Sequence, residues 1–435
     1  MIQKASPAPA NEWSAVLIGL FLMIGAGILL LLSVLLLFLG LTALPIGRNT
    51  SGSLSMLILS AGTFGLGILL LPGIYLNARN LLNLPPSQPG AALRISDRML
   101  MPIMIIAWLT SLMLGQIASR NLWASALVLP ITNIFAIGLP VLFYIRISLR
   151  GLELPPAKRG WSVFGASLLI SPLLALIFEV LAVGVIFILY IVYASSVPGL
   201  KDALSSLVSG LQSGSSNDNE SMRLAANLAF APGAIPALLI TFSLAIPLIE
   251  ETLKITVIWF YLGRLRRPLD GFVLGILCGA AFALTENLGF SSAGAADWAA
   301  SAAARATSAL PHIFNSGLLG WALVSVWKEK RYGRLAGTFL AVILIHGAWN
   351  VISLGLALSE FSPFVADVPA FLQNSYPWYA AWGVMVIGTL AGLILNNRQM
   401  RKLAASEESE KLGYNSRLLS QTTGGNDNGI TQNPD

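Results

Sequence analysis

GAIPALLITFSLAIPLIEETLKITVIWFYL, residues 233–262, decides the class of this protein. Its only charged residues are Glu250, Glu251 and Lys254, in the inner part of the stretch. A bilayer's hydrocarbon takes roughly 20 apolar residues to span as an α-helix, so the stretch is long enough. A charged side chain at that depth costs at least about 2.5 kcal/mol on insertion scales, so such groups face a protein interior and mark a function. Residues four apart share a helix face, which pairs Glu250 with Lys254 and lowers the cost of burying both. Glu251 points about 100° away, towards a different partner.

Working outward, nine more segments meet the same length test: about 14–40, 54–77, 99–118, 122–145, 162–195, 271–292, 303–327, 335–357 and 376–396. Hydrophobic residues are 55% of the 435 and charged residues only 11%, against about 25% charged in soluble domains, so a soluble fold is excluded. The first segment lacks the short apolar core and cleavage site of a signal peptide and reads as a retained helix. The fifth is too long for one upright span, so either Pro172 bends it or its outer end leaves the membrane. The lone Cys278 rules out an internal disulfide and reads as a small buried thiol.

The loops alternate in charge. Of 26 Lys and Arg, twenty fall in the N-terminal segment, alternate loops and the C-terminal tail, and five in the opposite loops. This bias predicts both termini in the cytoplasm of a multi-pass cell-membrane protein and makes the net charge of +6 a topology signal, not a nucleic-acid footprint. The expected fold is therefore an all-α polytopic bundle of about ten transmembrane helices, N-in and C-in, with a catalytic helical bundle in its second half. Residues 1–160 read as an accessory module of about four helices, 161–400 as the catalytic membrane domain, and 403–435 as a disordered tail. Residues 196–231 form the largest outer loop, and 78–97, with Pro85, Pro86 and Pro89, a linker.

Both histidines of the chain, His312 and His346, also lie in apolar segments, as does Glu286. At 1.5 Å per residue, Glu250 and His346 lie roughly 18 Å, and Glu286 and His312 roughly 22 Å, from the basic ends of their spans. Four helices thus bring residues that bind metals or activate water to one depth. Same-face spacing adds Asn350 to His346 and puts Arg305 two turns from His312. Gly271, Gly275, Gly279 and Ala283 form a stripe that permits close helix approach and draws Glu286 inward.

These residues resemble a known family. Ile249-Glu250-Glu251-Thr252-Leu253-Lys254 is similar to the Glu-Glu-x-x-Lys motif of the PrsW family of intramembrane proteases, part of the superfamily containing the CAAX-type prenyl-protein proteases. Asp270-Gly271 and Phe282-Ala283-Leu284-Thr285-Glu286-Asn287 resemble its second motif, Arg305 and His312 with Gly317 and Gly320 its third, and His346-Gly347-Ala348-Trp349-Asn350 its fourth. Lys254 and Glu286-Asn287 favour this branch over the CAAX type. The resemblance covers about 235–355 and implies hydrolysis of a peptide bond in or near the membrane of a membrane-protein substrate, such as a single-pass anti-sigma factor.

On that reading Glu250, with Glu251 as the alternative, is the general base for a water held by histidine. His312, His346 and Glu286 have the side-chain types of a catalytic zinc site, while the same residues could also work without metal. Asn350 and Arg305 would stabilise the oxyanion, and Lys254 and Asn287 would support the set. A proton-coupled or ion transporter is the rival reading, favoured by Glu179 in the fifth span, which the motifs do not use. An inactive membrane scaffold is the third.

Overall fold

A computed structural model describes residues 10–44, 50–82, 84, 97–197, 200–201, 205, 209, 218–289, 298–365 and 368–423. Among these there is no strand. Ten helices are long and apolar enough to cross a membrane, one for each segment read from the sequence. In chain order the helices are α1 (Ala10–Ala43), α2 (Thr50–Leu81), α3 (Asp97–Ala118), α4 (Leu122–Leu149), α5 (Ala157–Ser195), the short α6 (Asp218–Ala229), α7 (Ala234–Trp259), α8 (Pro268–Gly289), α9 (Trp298–Glu329), α10 (Tyr332–Glu360) and α11 (Tyr376–Thr423).

The antiparallel pair α8 and α9 forms the buried axis of the bundle. Small residues explain it: a Cβ on Gly271 would run into the Gly320 carbonyl, one on Gly275 into that of Ser316, and one on Gly279 into that of His312. The expected glycine stripe is thus a backbone-to-backbone seam, the arrangement that lets helices associate without a water-driven force. By contrast α1, α3 and the distal half of α5 present Leu31, Leu17, Ile106, Leu181 and Ile188 outward, an apolar surface suited to lipid.

Pro172 does not break α5. The helix runs unbroken for 39 residues, about 58 Å, so in a bilayer it must tilt or protrude. Its proximal half is stitched inward: Ser167 donates to Cys278 Sγ at 3.1 Å, Thr285 to the Leu168 carbonyl at 3.0 Å, and Ser171 to the Lys254 carbonyl at 3.3 Å. The expected boundary at 160 is not a break in the core, because Leu22, Leu66 and Ile137 share one apolar cluster with Phe164, Phe272, Ile313 and Leu393. The first four helices also fix the start of α9. Trp298 is fully buried against Gly115, and Gln116 accepts the backbone N–H of Ala299 at 2.8 Å.

α11 stays helical through 403–423, where the sequence reads as disordered tail. The stretch Ala404-Ala405-Ser406-Glu407-Glu408-Ser409-Glu410-Lys411 is rich in helix formers, which explains the continuation. Residues 424–435, most of 78–97 and part of the 196–231 loop lie outside the described residues.

Candidate active site

The Glu-Glu-x-x-Lys turn of α7 supplies a cation between two carboxylates. Lys254 Nζ lies 2.8 Å from Glu250 Oε2 and 2.8 Å from Glu251 Oε1. Its side chain is fully buried, and the ammonium sits 4.6 Å from the centroid of the Phe282 ring on α8. Buried ions are tolerated only where partners replace the lost water, and Lys254 has three.

The two histidines are held alike. His346 Nδ1 is 2.7 Å from Glu251 Oε1, which leaves Nε2 facing Glu250 Oε2 at 3.9 Å. His312 Nε2 is 3.0 Å from Glu286 Oε2, which leaves Nδ1 facing the same Glu250 oxygen, also at 3.9 Å. Each ring is gripped by one carboxylate and offers its other nitrogen to a common point. The rings stand perpendicular, 5.5 Å between centroids, and Phe282 closes the other side of His312 at 5.4 Å. Carboxylate–histidine pairs of this kind fix tautomer and orientation at metal sites.

One donor atom each from Glu250, Glu286 and His312 lies within 4.8 Å of the others. Glu250 Oε2, Glu286 Oε2 and His312 Nδ1 are buried and, though close to opposite charges, make no aligned hydrogen bond within the protein. Such a set fits a divalent cation. Glu250 takes the place expected for His346 in the closest group, because Glu251 draws His346 towards α7. His346 Nε2 remains at the edge of the same space.

The remaining predicted residues have other partners. Asn350 donates to the Phe242 carbonyl at 2.7 Å. That carbonyl belongs to a widened turn of α7, the π-helical segment Ile240–Ala245, against which Gly347 packs without room for a Cβ. The His-Gly-x-x-Asn spacing therefore also docks α10 onto α7. Asn287 is fully buried, donates to the Ala283 carbonyl at 2.9 Å and accepts from Ser308 at 2.9 Å, tying α8 to α9. Arg305 is close enough to Glu286 to interact with its charge.

Glu179, on α5, brings its carboxyl within hydrogen-bonding reach of Glu250. Sequence motifs leave it out, and only the tertiary path of α5 brings it here. The widened turn was likewise missed, because a segment apolar on every side carries no periodicity that a changed helical pitch could disturb.

No curated protein and no solved structure matches the chain. Residues 204–373 match the model of the PrsW family intramembrane metalloprotease, a segment that holds α6 to α10 and every residue of the cluster except Glu179. The likeness first carried by four short motifs thus extends over a continuous stretch: residues 204–373 are similar to the PrsW family, within a chain that has ten helices long and apolar enough to cross a membrane.

Proposed function

We propose that this protein is an intramembrane endopeptidase that hydrolyses a peptide bond of a membrane-protein substrate in or beside the bilayer. The observation that carries the reading is the meeting of Glu250, Glu286, His312 and His346, from four different helices, around one buried point. Glu250 is the better base of the two neighbouring glutamates. It is 7% exposed and faces both histidine nitrogens, whereas Glu251 is fully buried and engaged by Lys254 and His346. On this reading Glu250 takes a proton from the attacking water and returns it to the leaving amine. Glu251 holds His346, and Lys254 keeps the two carboxylates compatible. Asn350 positions α10, and Arg305 stands by for the oxyanion.

His312, His346 and Glu286 would hold a zinc ion against Glu250 once Glu286 turned from His312 Nε2, which it meets at 3.0 Å, to the metal. When bound, zinc would supply Lewis-acid stabilisation of charge developing on the carbonyl oxygen. The substrate class that fits is a single-pass membrane protein, an anti-sigma factor being one example. The basic bias of alternate loops supports cytoplasmic termini and residence in the cell membrane. Glu179, the main argument for a transport path, adds to the same cluster and does not extend a chain across the bundle.

The test compares protein N-termini in membranes and medium of cells expressing wild type, Glu250→Gln or His312→Ala at matched levels, with zinc content of the purified proteins measured alongside. New termini near transmembrane segments of other proteins, formed only by wild type, are the expected result. His312→Ala should lose zinc, while Glu250→Gln should keep it and lose cleavage. Identical termini in all three would overturn the protease reading, and loss of zinc from Glu250→Gln would make Glu250 a ligand.

A further inference from the structure

Glu179 stands outside the matched segment 204–373, yet two contacts of α5 fix its place beside the ion cluster. At the inner end Ser171 donates to the Lys254 carbonyl at 3.3 Å, and at the outer end Tyr193 packs against Gly233, just before α7. α5 and α7 are therefore antiparallel neighbours along this length. Counted from Ser171 and Lys254, one turn puts Ala175 level with Glu250, and the next turn of α5 reaches Glu179. Helical side chains lean towards the N-terminus, so the Glu179 carboxyl points back over Ala175, which is small and buried. It comes within hydrogen-bonding reach of Glu250. Its neighbours in sequence, Phe178 and Val180, lie on the exposed apolar surface, whereas Glu179 itself is half-buried. A carboxyl at such a boundary is costly unless it turns inward to a partner.

Glu250 needs a second fixed point. Lys254, His312 and His346 all approach the same oxygen, Oε2. A carboxylate held through one oxygen can still turn about its last side-chain bond, a torsion with only broad preferences. A general base works when its lone pair is aimed at the proton it takes. Two carboxyl groups meet through one proton held between them, so a contact from Glu179 enters as a donor.

We propose that Glu179 is a positioning residue: its carboxyl donates a hydrogen bond to Glu250 and fixes the plane of that carboxylate, so that the base faces the space between the two histidines. The role rests on the reading of Glu250 as the base. It makes α5 part of a site that the matched segment alone would leave incomplete.

The test uses the full chain with Glu179→Leu and Glu179→Gln, the second of which keeps a donor at nearly the same reach. New protein N-termini in cells are counted at matched levels, and zinc content and thermal unfolding are measured on the purified proteins. Glu179→Leu should lose cleavage about ten-fold or more while keeping zinc and melting as wild type. Glu179→Gln should restore most of that loss. Glu179→Met serves if the leucine variant fails to fold. Infrared difference spectra give a readout that needs no substrate: wild type should show the carbonyl stretch of a protonated carboxyl that Glu179→Gln lacks. Equal cleavage by wild type and Glu179→Leu would overturn the role, as would equal loss in the leucine and glutamine variants. Loss of zinc from Glu179→Leu would move Glu179 from the base to the metal. If wild type forms no new termini the protease reading fails by itself, and the infrared band then decides the contact: its absence overturns it.

Discussion

The two sides of α8 lie at the same depth yet obey opposite rules. On one side Glu286 and Phe282 meet His312 and Lys254, and a buried charge is tolerated because each has a partner at a set distance. On the other side Leu277, Leu284 and Leu288 line a cleft that needs only apolar contact. The polar side is specified atom by atom and fails when one member is removed, whereas the apolar side is specified by volume and tolerates exchange. A single helix can serve both because the glycine seam against α9, on the face that also carries Phe282 and Glu286, fixes its rotation.

Four changes test this contrast. Lys254→Met should have the largest effect, about 3–5 kcal/mol, because it leaves two buried carboxylates without their cation. Thermal unfolding in detergent unchanged from wild type would break the claim that the polar side depends on pairing. Gly275→Leu should push α8 off the Ser316 carbonyl, at about 1–3 kcal/mol or more, and abolish cleavage. Normal activity in that variant would show that the seam does not set the rotation. Glu251→Gln should weaken zinc affinity about 10–100-fold by loosening His346, as read in a chelator competition. An unchanged affinity would remove Glu251 from its positioning role. Leu277→Ala, on the cleft side, should cost only about 1 kcal/mol, and a loss as large as that of Lys254→Met would erase the contrast.

Much of this contrast was legible in the chain itself. Ten spans followed from hydrophobic length, because the bilayer imposes that length whatever the tertiary fold. The convergence of Glu250, Glu286, His312 and His346 followed from depth, since antiparallel helices of similar rise put residues equally far from one face at one level. Depth carries no azimuth, however. It could not say that Glu251 holds His346, that Asn350 turns to Phe242, or that Glu286 grips His312, because those depend on helix rotation. Nor could it place Glu179, whose position depends on how far α5 runs past Pro172. α11 runs on through residues 403–423, where polar composition alone does not separate a solvated helix from a disordered tail.

The widened turn of α7 has a consequence for how this chain can change over time. A π-type turn closes on i→i+5 in place of i→i+4, so it takes up one more residue than the helix around it. Ile240–Ala245 thus acts as a local store of length between the loop side of α7 and the segment bearing Glu250. One residue gained or lost there would be absorbed within the turn, leaving the azimuth of residues 246–254 unchanged. The same event between Ala245 and Glu250 would rotate both carboxylates by about 100° relative to the helix before them. Length variants among natural or selected descendants should therefore accumulate at 240–245 and be purged from 246–254.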